Sequence, residues 1–195
     1  MPHYFSEHQD SKIKYSEIQG TLPGLKFIVA PGIFSHRRVD PGSSLLIDKA
    51  VLPEQGLILD LGCGYGAIGI SLAKHHPKLG FTLTDINRRA IACSKMNAKM
   101  NHVKNVSVKW GDLYNGLPRF DAILCNPPQS AGKKLCFSMI DQSIDHLNPG
   151  GSFQLVARHQ KGGKDLKKRM EENFGNVEEV AKRSGYRIYL SVRPR

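Results

Sequence analysis

The segment Leu57-Ile-Leu-Asp-Leu-Gly-Cys-Gly-Tyr-Gly66 constrains the fold more than any other stretch of the chain. Its first residues form a short apolar run of the kind that fills a strand buried on both faces. Alternate glycines follow at once, at Gly62, Gly64 and Gly66, and helical periodicity begins at Ala67. Strand, glycine turn and helix in that order open a doubly wound α/β sheet, where the turn lets backbone approach a ligand without a Cβ in the way.

From there the pattern alternates between short apolar runs and helical segments, which predicts repeated βαβ units and a mostly parallel sheet. Strands are predicted over 57–61, 81–85, 106–110, 120–125 and 152–157, and helices over 67–75, 88–100, 133–147 and 164–174. Two further strand-like runs, 177–181 and 186–192, are joined by Lys182-Arg183-Ser184-Gly185, which is too short for a crossover helix and predicts antiparallel pairing. The expected fold is a doubly wound, Rossmann-like, mostly parallel seven-stranded sheet with an antiparallel C-terminal strand. Residues 1–50 are expected to be an extension packed on a 51–195 domain. The turn signals Leu22-Pro-Gly, Ala30-Pro-Gly and Asp40-Pro-Gly surround an apolar run at 25–29, giving a hairpin, a loop and a short helix over 43–51. That extension reads equally as a lid on the site or as an edge cover.

With 195 residues, 40% of them hydrophobic, one core can close without crosslinks. Cys63, Cys93, Cys125 and Cys136 form no CxxC pair, so neither zinc nor a disulfide framework is expected, but reduced, mostly buried thiols. No run approaches the roughly 20 apolar residues of a membrane span, and the polar N-terminus lacks a signal-peptide core, so a cytoplasmic protein without a membrane partner is expected. A formal net charge of +11 points to a polyanion, with nucleic acid first and a merely cationic surface as the competing reading.

Asp85, ending the second predicted strand, stands where its carboxylate can accept both hydroxyl protons of a ribose, so the loop is expected to hold an adenosine-containing cofactor. Gly64-Tyr-Gly-Ala-Ile-Gly69 also spells the dinucleotide fingerprint, and an NAD reading competes. Asp60 weighs against it: an acid before the glycines suits the cationic ammonium of a methionyl group and sits badly beside a pyrophosphate. S-adenosylmethionine is favoured, with a capping aspartate as the alternative at Asp60 and a helix cap at Asp85. Asp112 can accept from an adenine amino group, with Leu113 packing on the ring.

The fourth strand ends in Asn126-Pro127-Pro128. An exocyclic amine is a poor nucleophile because its lone pair is delocalised into the ring. If the Asn126 side-chain oxygen and the Pro127 carbonyl accept its N–H protons, the nitrogen turns towards sp3 geometry and its lone pair becomes available, with no strong base needed. Metal and nucleophilic-triad chemistry are not indicated.

The chain resembles the small-domain class I methyltransferases, a family that includes the bacterial 16S rRNA guanine-N2 enzymes and compact archaeal relatives. The likeness runs from about Gly24 to the C-terminus through Pro31-Gly-Ile-Phe-Ser35, Asp40-Pro-Gly-Ser-Ser44, the glycine loop, Asp85-Ile-Asn87, Asp112-Leu113, Asn126-Pro-Pro128 with Ala131-Gly-Lys133, and Gly185-Tyr-Arg187. It implies that Asn126 positions an amine, that Pro127 shares the catalytic turn, and that Asp60, Gly62, Cys63, Gly64, Asp85, Ile86, Asp112, Leu113 and Asn126 itself line the S-adenosylmethionine site. It also implies an RNA partner, rRNA ahead of tRNA, with guanine N2 as the position methylated. Relatives commonly have an aromatic after Asn-Pro-Pro that stacks on the flipped base; here Gln129 stands in its place, and stacking falls to Phe34 or is weaker. The bacterial rRNA enzymes carry a second copy of the domain, for which 195 residues leave no room.

Arg158-His-Gln-Lys-Gly-Gly-Lys164 follows the fifth strand and shares the carboxyl edge with the cofactor. With Arg37, Arg38, Lys133, Lys161 and Lys164, a basic rim beside Pro128 and Gln129 is expected to hold phosphates around a protruding base. Trp110 and Phe137 are expected in the core. Methylation of a protein side-chain amide or small amine is the alternative activity, and a non-catalytic nucleotide-binding module the third reading.

Overall fold

The structure is a computed structural model that describes Glu7 and residues 14–195. The remaining N-terminal positions, part of the expected 1–50 extension, lie outside the described residues. A two-stranded antiparallel hairpin, β1 (Ser16–Gln19) and β2 (Lys26–Val29), precedes helix α1 (Pro41–Lys49). The main body follows as β3 (Gly56–Leu61), α2 (Ala67–His75), β4 (Leu79–Asp85), α3 (Arg88–Met100), β5 (Val106–Trp110), β6 (Phe120–Cys125), α4 (Lys133–Asp141), β7 (Leu147–Arg158), α5 (Lys164–Phe174), β8 (Glu178–Arg183) and β9 (Tyr186–Val192).

The main sheet has seven strands in the order β5-β4-β3-β6-β7-β9-β8. Strands β3 to β7 pair parallel, and β9 runs antiparallel between β7 and β8, as the short 182–185 link requires. Successive residues along each strand face opposite layers. Ile58, Ala122, Leu124, Val156 and Ile188 join one core with the hairpin and helices α1, α2 and α3. Leu59, Leu61, Ile123, Cys125, Phe153 and Tyr189 join another with α4 and α5. The chain order reverses between β3 and β6, and that switch point opens the crevice at the carboxyl ends of the strands where ligands bind in open α/β sheets.

Helices α2, α3 and α5 have the predicted bounds, because local signals set their ends: the Asn87 side chain caps α3, and Gly175 closes α5 in the left-handed region. The helix predicted over 133–147 instead ends at Asp141 and continues as a 3-10 turn, Gln142–His146. Ser143 Oγ donates to the Ile140 carbonyl (2.6 Å) and Tyr114 Oη to that of Met139 (2.6 Å), so side chains take the acceptors of the last turn. Trp110 corrects another expectation. It ends the edge strand β5 and is 45% exposed, with Nε1 donating to the Ile86 carbonyl and the Arg88 guanidinium 4.0 Å above its ring. Phe137 is half-buried against the α4–α5 core. All four cysteines are free and buried. Among the described residues no helix is long and apolar enough to cross a membrane.

Candidate active site

The crevice at the switch point is an open cleft of about 1010 Å³, counting the solvent space at its mouth. Its floor is the turn after β3. Gly62 and Gly64 have φ of 70° and 57°, where a side chain is strained. A Cβ at Gly64 would meet no protein atom nearer than Ile33 Cγ2 at 4.0 Å, and one at Gly62 none nearer than Met139 Cε at 3.5 Å. It would therefore project into the cleft, so the glycines leave a cradle for a ligand. Gly69 is different: a Cβ there would lie 2.6 Å from Leu83 Cδ1, so this last glycine of the dinucleotide-like string serves helix-to-sheet packing.

Asp85 faces the cleft from the end of β4. Its Oδ2 accepts the Gly64 N–H and its Oδ1 the Asn87 N–H, both at 2.8 Å, which pins the carboxylate against the turn. Burial raises its pKa to about 6, opposed by the amides of Asn87, Gly64 and Ile86. Cys63, Ile86, Gly111, Asp112 and Leu113 continue the wall, and Leu113 turns its side chain from a left-handed backbone at φ 50°. Asp60 does not line the cleft. It is 1% exposed beneath the turn, with Oδ2 accepting the Gly69 N–H (2.8 Å) and Oδ1 without a partner. Burial lifts its pKa to about 7, lowered by the Gly69 amide and raised by Asp85. The structure thus puts it under the loop as a brace, because α2 packs down onto β3 there.

The opposite wall comes from the N-terminal segment: Ile33, Phe34, Ser35, Asp40 and Ser43 all face the cleft. The α3 cap and first turn hold this loop, Asn87 Nδ2 donating to the Gly32 carbonyl (2.9 Å) and Arg89 Nη1 to that of Pro31 (2.6 Å). The segment is a wall of the site, with Phe34 at its exposed edge.

Asn126 follows the last residue of β6 and lines the same cleft with Pro127 and Pro128. Its Nδ2 donates to Asp40 Oδ2 (3.1 Å) and Ser43 Oγ (2.9 Å). A carboxylate can only accept, so Asp40 fixes which end of the amide faces α1. Both amide protons are thereby committed, and Oδ1 is left as an acceptor. The Asp40-Pro-Gly-Ser string now has a physical reading. Asp40 Oδ2 also caps α1 through the Gly42 and Ser43 N–H groups, Pro41 opens the helix, and a Cβ at Gly42 would strike the Tyr186 ring at 2.8 Å. Tyr186 Oη donates to Asp40 Oδ1 (3.3 Å). Asp40, Ser43 and Tyr186 went unassigned in the sequence although all lie in motifs quoted there, because only the fold brings them to Asn126.

The Pro127 carbonyl is not wholly free, as expected of it, since it accepts the Gln129 N–H at 2.8 Å and keeps one lone pair. Gln129 spans to the β7–α5 turn. The rim cations are outside the cleft: Arg37, Arg38, Lys161 and Lys164 are exposed, and Lys133 pairs with Asp165 Oδ2 at 2.7 Å. The cleft wall carries Asp40, Asp85 and Asp112 and no lysine or arginine among the described residues. An acidic interior inside a cationic protein suits a positively charged, adenosine-bearing cofactor and disfavours the pyrophosphate of NAD.

This fold and site define a class I methyltransferase. The family model described as methyltransferase small domain matches residues 24–190, and the chain belongs to that family, with S-adenosylmethionine as methyl donor. It is 37% identical over 192 residues to the uncharacterised protein YbxB of Bacillus subtilis, covering 95% of this chain and 96% of that protein. It is 36% identical over 167 residues to ribosomal RNA small subunit methyltransferase C of Hamiltonella defensa, covering 83% of this chain and 48% of the relative. Among solved structures it is similar to the T. thermophilus 16S rRNA N2 G1207 methyltransferase (RsmC), in complex with AdoMet and guanosine. There the TM-score is 0.75 and the identity 24%, over 94% of this chain and 51% of that one. The chain thus spans about half the length of the rRNA methyltransferases it matches.

Proposed function

We propose that the chain methylates an exocyclic amino nitrogen of a base in RNA, rRNA ahead of tRNA, with guanine N2 as the position. The observation that carries this reading is the Asn126 amide, whose two protons are spent on Asp40 and Ser43 so that Oδ1 must accept. S-adenosylmethionine supplies an electrophilic methyl on a sulfonium. Gly62 and Gly64 give its backbone cradle, Asp85 the acceptor for ribose hydroxyls, and Asp112 and Leu113 the adenine wall. Asn126 Oδ1 takes one N–H of the amine and the remaining lone pair of the Pro127 carbonyl the other. Held so, the nitrogen would lose conjugation with the ring and direct its lone pair at the methyl. The C–N bond would form as the C–S bond breaks, the thioether product would leave and the extra proton on nitrogen would pass to solvent, so that orientation with fixed dipoles supplies the catalysis.

The RNA assignment is supported by the net charge of +11, by the exposed cations around the cleft, and by the names of the relatives that act on rRNA. Mass spectrometry of nucleosides from a deletion strain and its parent tests it. Loss of N2-methylguanosine from small-subunit rRNA is expected. RNA unchanged in every methylated nucleoside would refute the assignment.

A further inference from the structure

Arg158 ends β7 on the same carboxyl edge as Asn126, and it is exposed. It is nevertheless fixed at both its main chain and its side chain. Its N–H donates to Gln129 Oε1 (3.0 Å), while Gln129 Nε2 donates to the Lys161 carbonyl (2.9 Å). The neutral amide offers an acceptor and a donor together, so the residue after Asn-Pro-Pro clasps the turn that follows β7. The Arg158 guanidinium lies 5.1 Å over the Tyr186 ring, and its Nε donates to Tyr186 Oη (3.0 Å). Tyr186 Oη donates to Asp40 Oδ1, and Asp40 Oδ2 holds the Asn126 amide. Among the described residues, Nη1 and Nη2 of Arg158 have no protein acceptor.

We propose that Arg158 is the phosphate anchor for the nucleotide whose base enters the cleft. A guanidinium locked through Nε and one face, with its outer N–H groups free in solvent, is preorganised to take two oxygens of a phosphodiester. Other rim cations lack this link: Lys133 is spent on Asp165, and Arg37 and Arg38 stand on the N-terminal loop. The hydrogen-bonded line Arg158–Tyr186–Asp40–Asn126 ties the grip on the backbone to the amide that receives the amine. Gln129 and Tyr186 act as positioning residues for the anchor. The inference rests on RNA being the substrate.

The test is binding of a fluorescein-labelled small-subunit rRNA transcript across a salt series, with single-turnover methyl transfer and calorimetric cofactor affinity alongside. Arg158→Gln is expected to reduce the magnitude of the slope of log affinity against log salt by about 0.7–0.9, one phosphate contact. The half-saturating RNA concentration should rise about tenfold, the scale of a charge-assisted hydrogen bond, with cofactor affinity unchanged. Arg158→Lys should restore the slope but only part of the affinity, since it keeps the charge and loses the fork. A folded Arg158→Gln protein with the wild-type slope and RNA affinity would overturn the anchor, whatever its melting temperature. Wild-type protein that binds the transcript with this salt dependence yet transfers no methyl would instead refute the proposed activity and leave the anchor standing.

Discussion

Replacing Asp40 by Asn tests how the amide at the centre of the site is aimed. The variant keeps a side-chain oxygen for the Gly42 and Ser43 N–H groups, and Asn caps helices about as well as Asp, so α1 and the melting temperature should be preserved. What changes is the charge of the acceptor facing Asn126 Nδ2, together with the Oδ1 position, where an amide NH2 can no longer accept the Tyr186 hydroxyl. A charged acceptor contributes about 1.5–3 kcal/mol and a neutral one about 0.5–1.5 kcal/mol, so the amide loses on the order of 1–1.5 kcal/mol of its orientation. Methyl transfer should fall roughly tenfold in single-turnover assays with labelled S-adenosylmethionine and saturating RNA. Ser43→Ala should cost somewhat less, and the double variant should depart from additivity because both acceptors serve one group. A folded Asp40→Asn protein with unchanged cofactor affinity and the wild-type transfer rate would refute the argument.

Asp85→Ala should weaken cofactor binding by about 1.5–3 kcal/mol in calorimetry, and wild-type affinity should decline as pH drops through about 6, where the raised carboxyl takes up a proton and stops accepting. Unchanged affinity in a folded Asp85→Ala protein would remove the ribose assignment. Asp60 acts on stability: with its pKa moved from 3.8 to about 7, the folded chain holds a proton that the unfolded chain has released between those values. Stability against urea should therefore fall as pH rises from about 4 to about 7, by up to the order of 4 kcal/mol, and Asp60→Asn should flatten that dependence. An equal slope in the variant would assign the titration elsewhere.

The parts of this molecule legible in its sequence are those whose causes are local. A run of strand residues into glycines with an acid two residues before them marked the turn at the switch point, and the predicted ranges 88–100 and 164–174 match α3 and α5 because the caps found there, Asn87 and Gly175, act only on the next few residues. The position of Asn126 at the edge of β6 was legible from the same kind of strand-and-turn reasoning. Trp110 was misplaced because nothing in its own segment says that β5 is the sheet edge. Asp60 was aimed at the ligand because its burial depends on how closely α2 packs, which Gly69 decides nine residues later. The support of Asn126 by Asp40 and Ser43 spans more than 80 residues, |i−j| of 86 and 83, and only the sheet order brings those ends together. Gln129 looked like the loss of a stacking ring; its amide instead joins two stretches of backbone across a turn.

The measurement that bears most directly on the central claim is single-turnover methyl transfer by Asn126→Ala, read beside calorimetric binding of S-adenosylmethionine. Removing a preorganised polar contact typically lowers transfer by about 100-fold or more, while the cradle at Gly62 and Gly64 and the carboxylate of Asp85 stay in place. Near-normal cofactor affinity with transfer reduced by that factor is the predicted result. Transfer at the wild-type rate by a folded Asn126→Ala protein would contradict the mechanism.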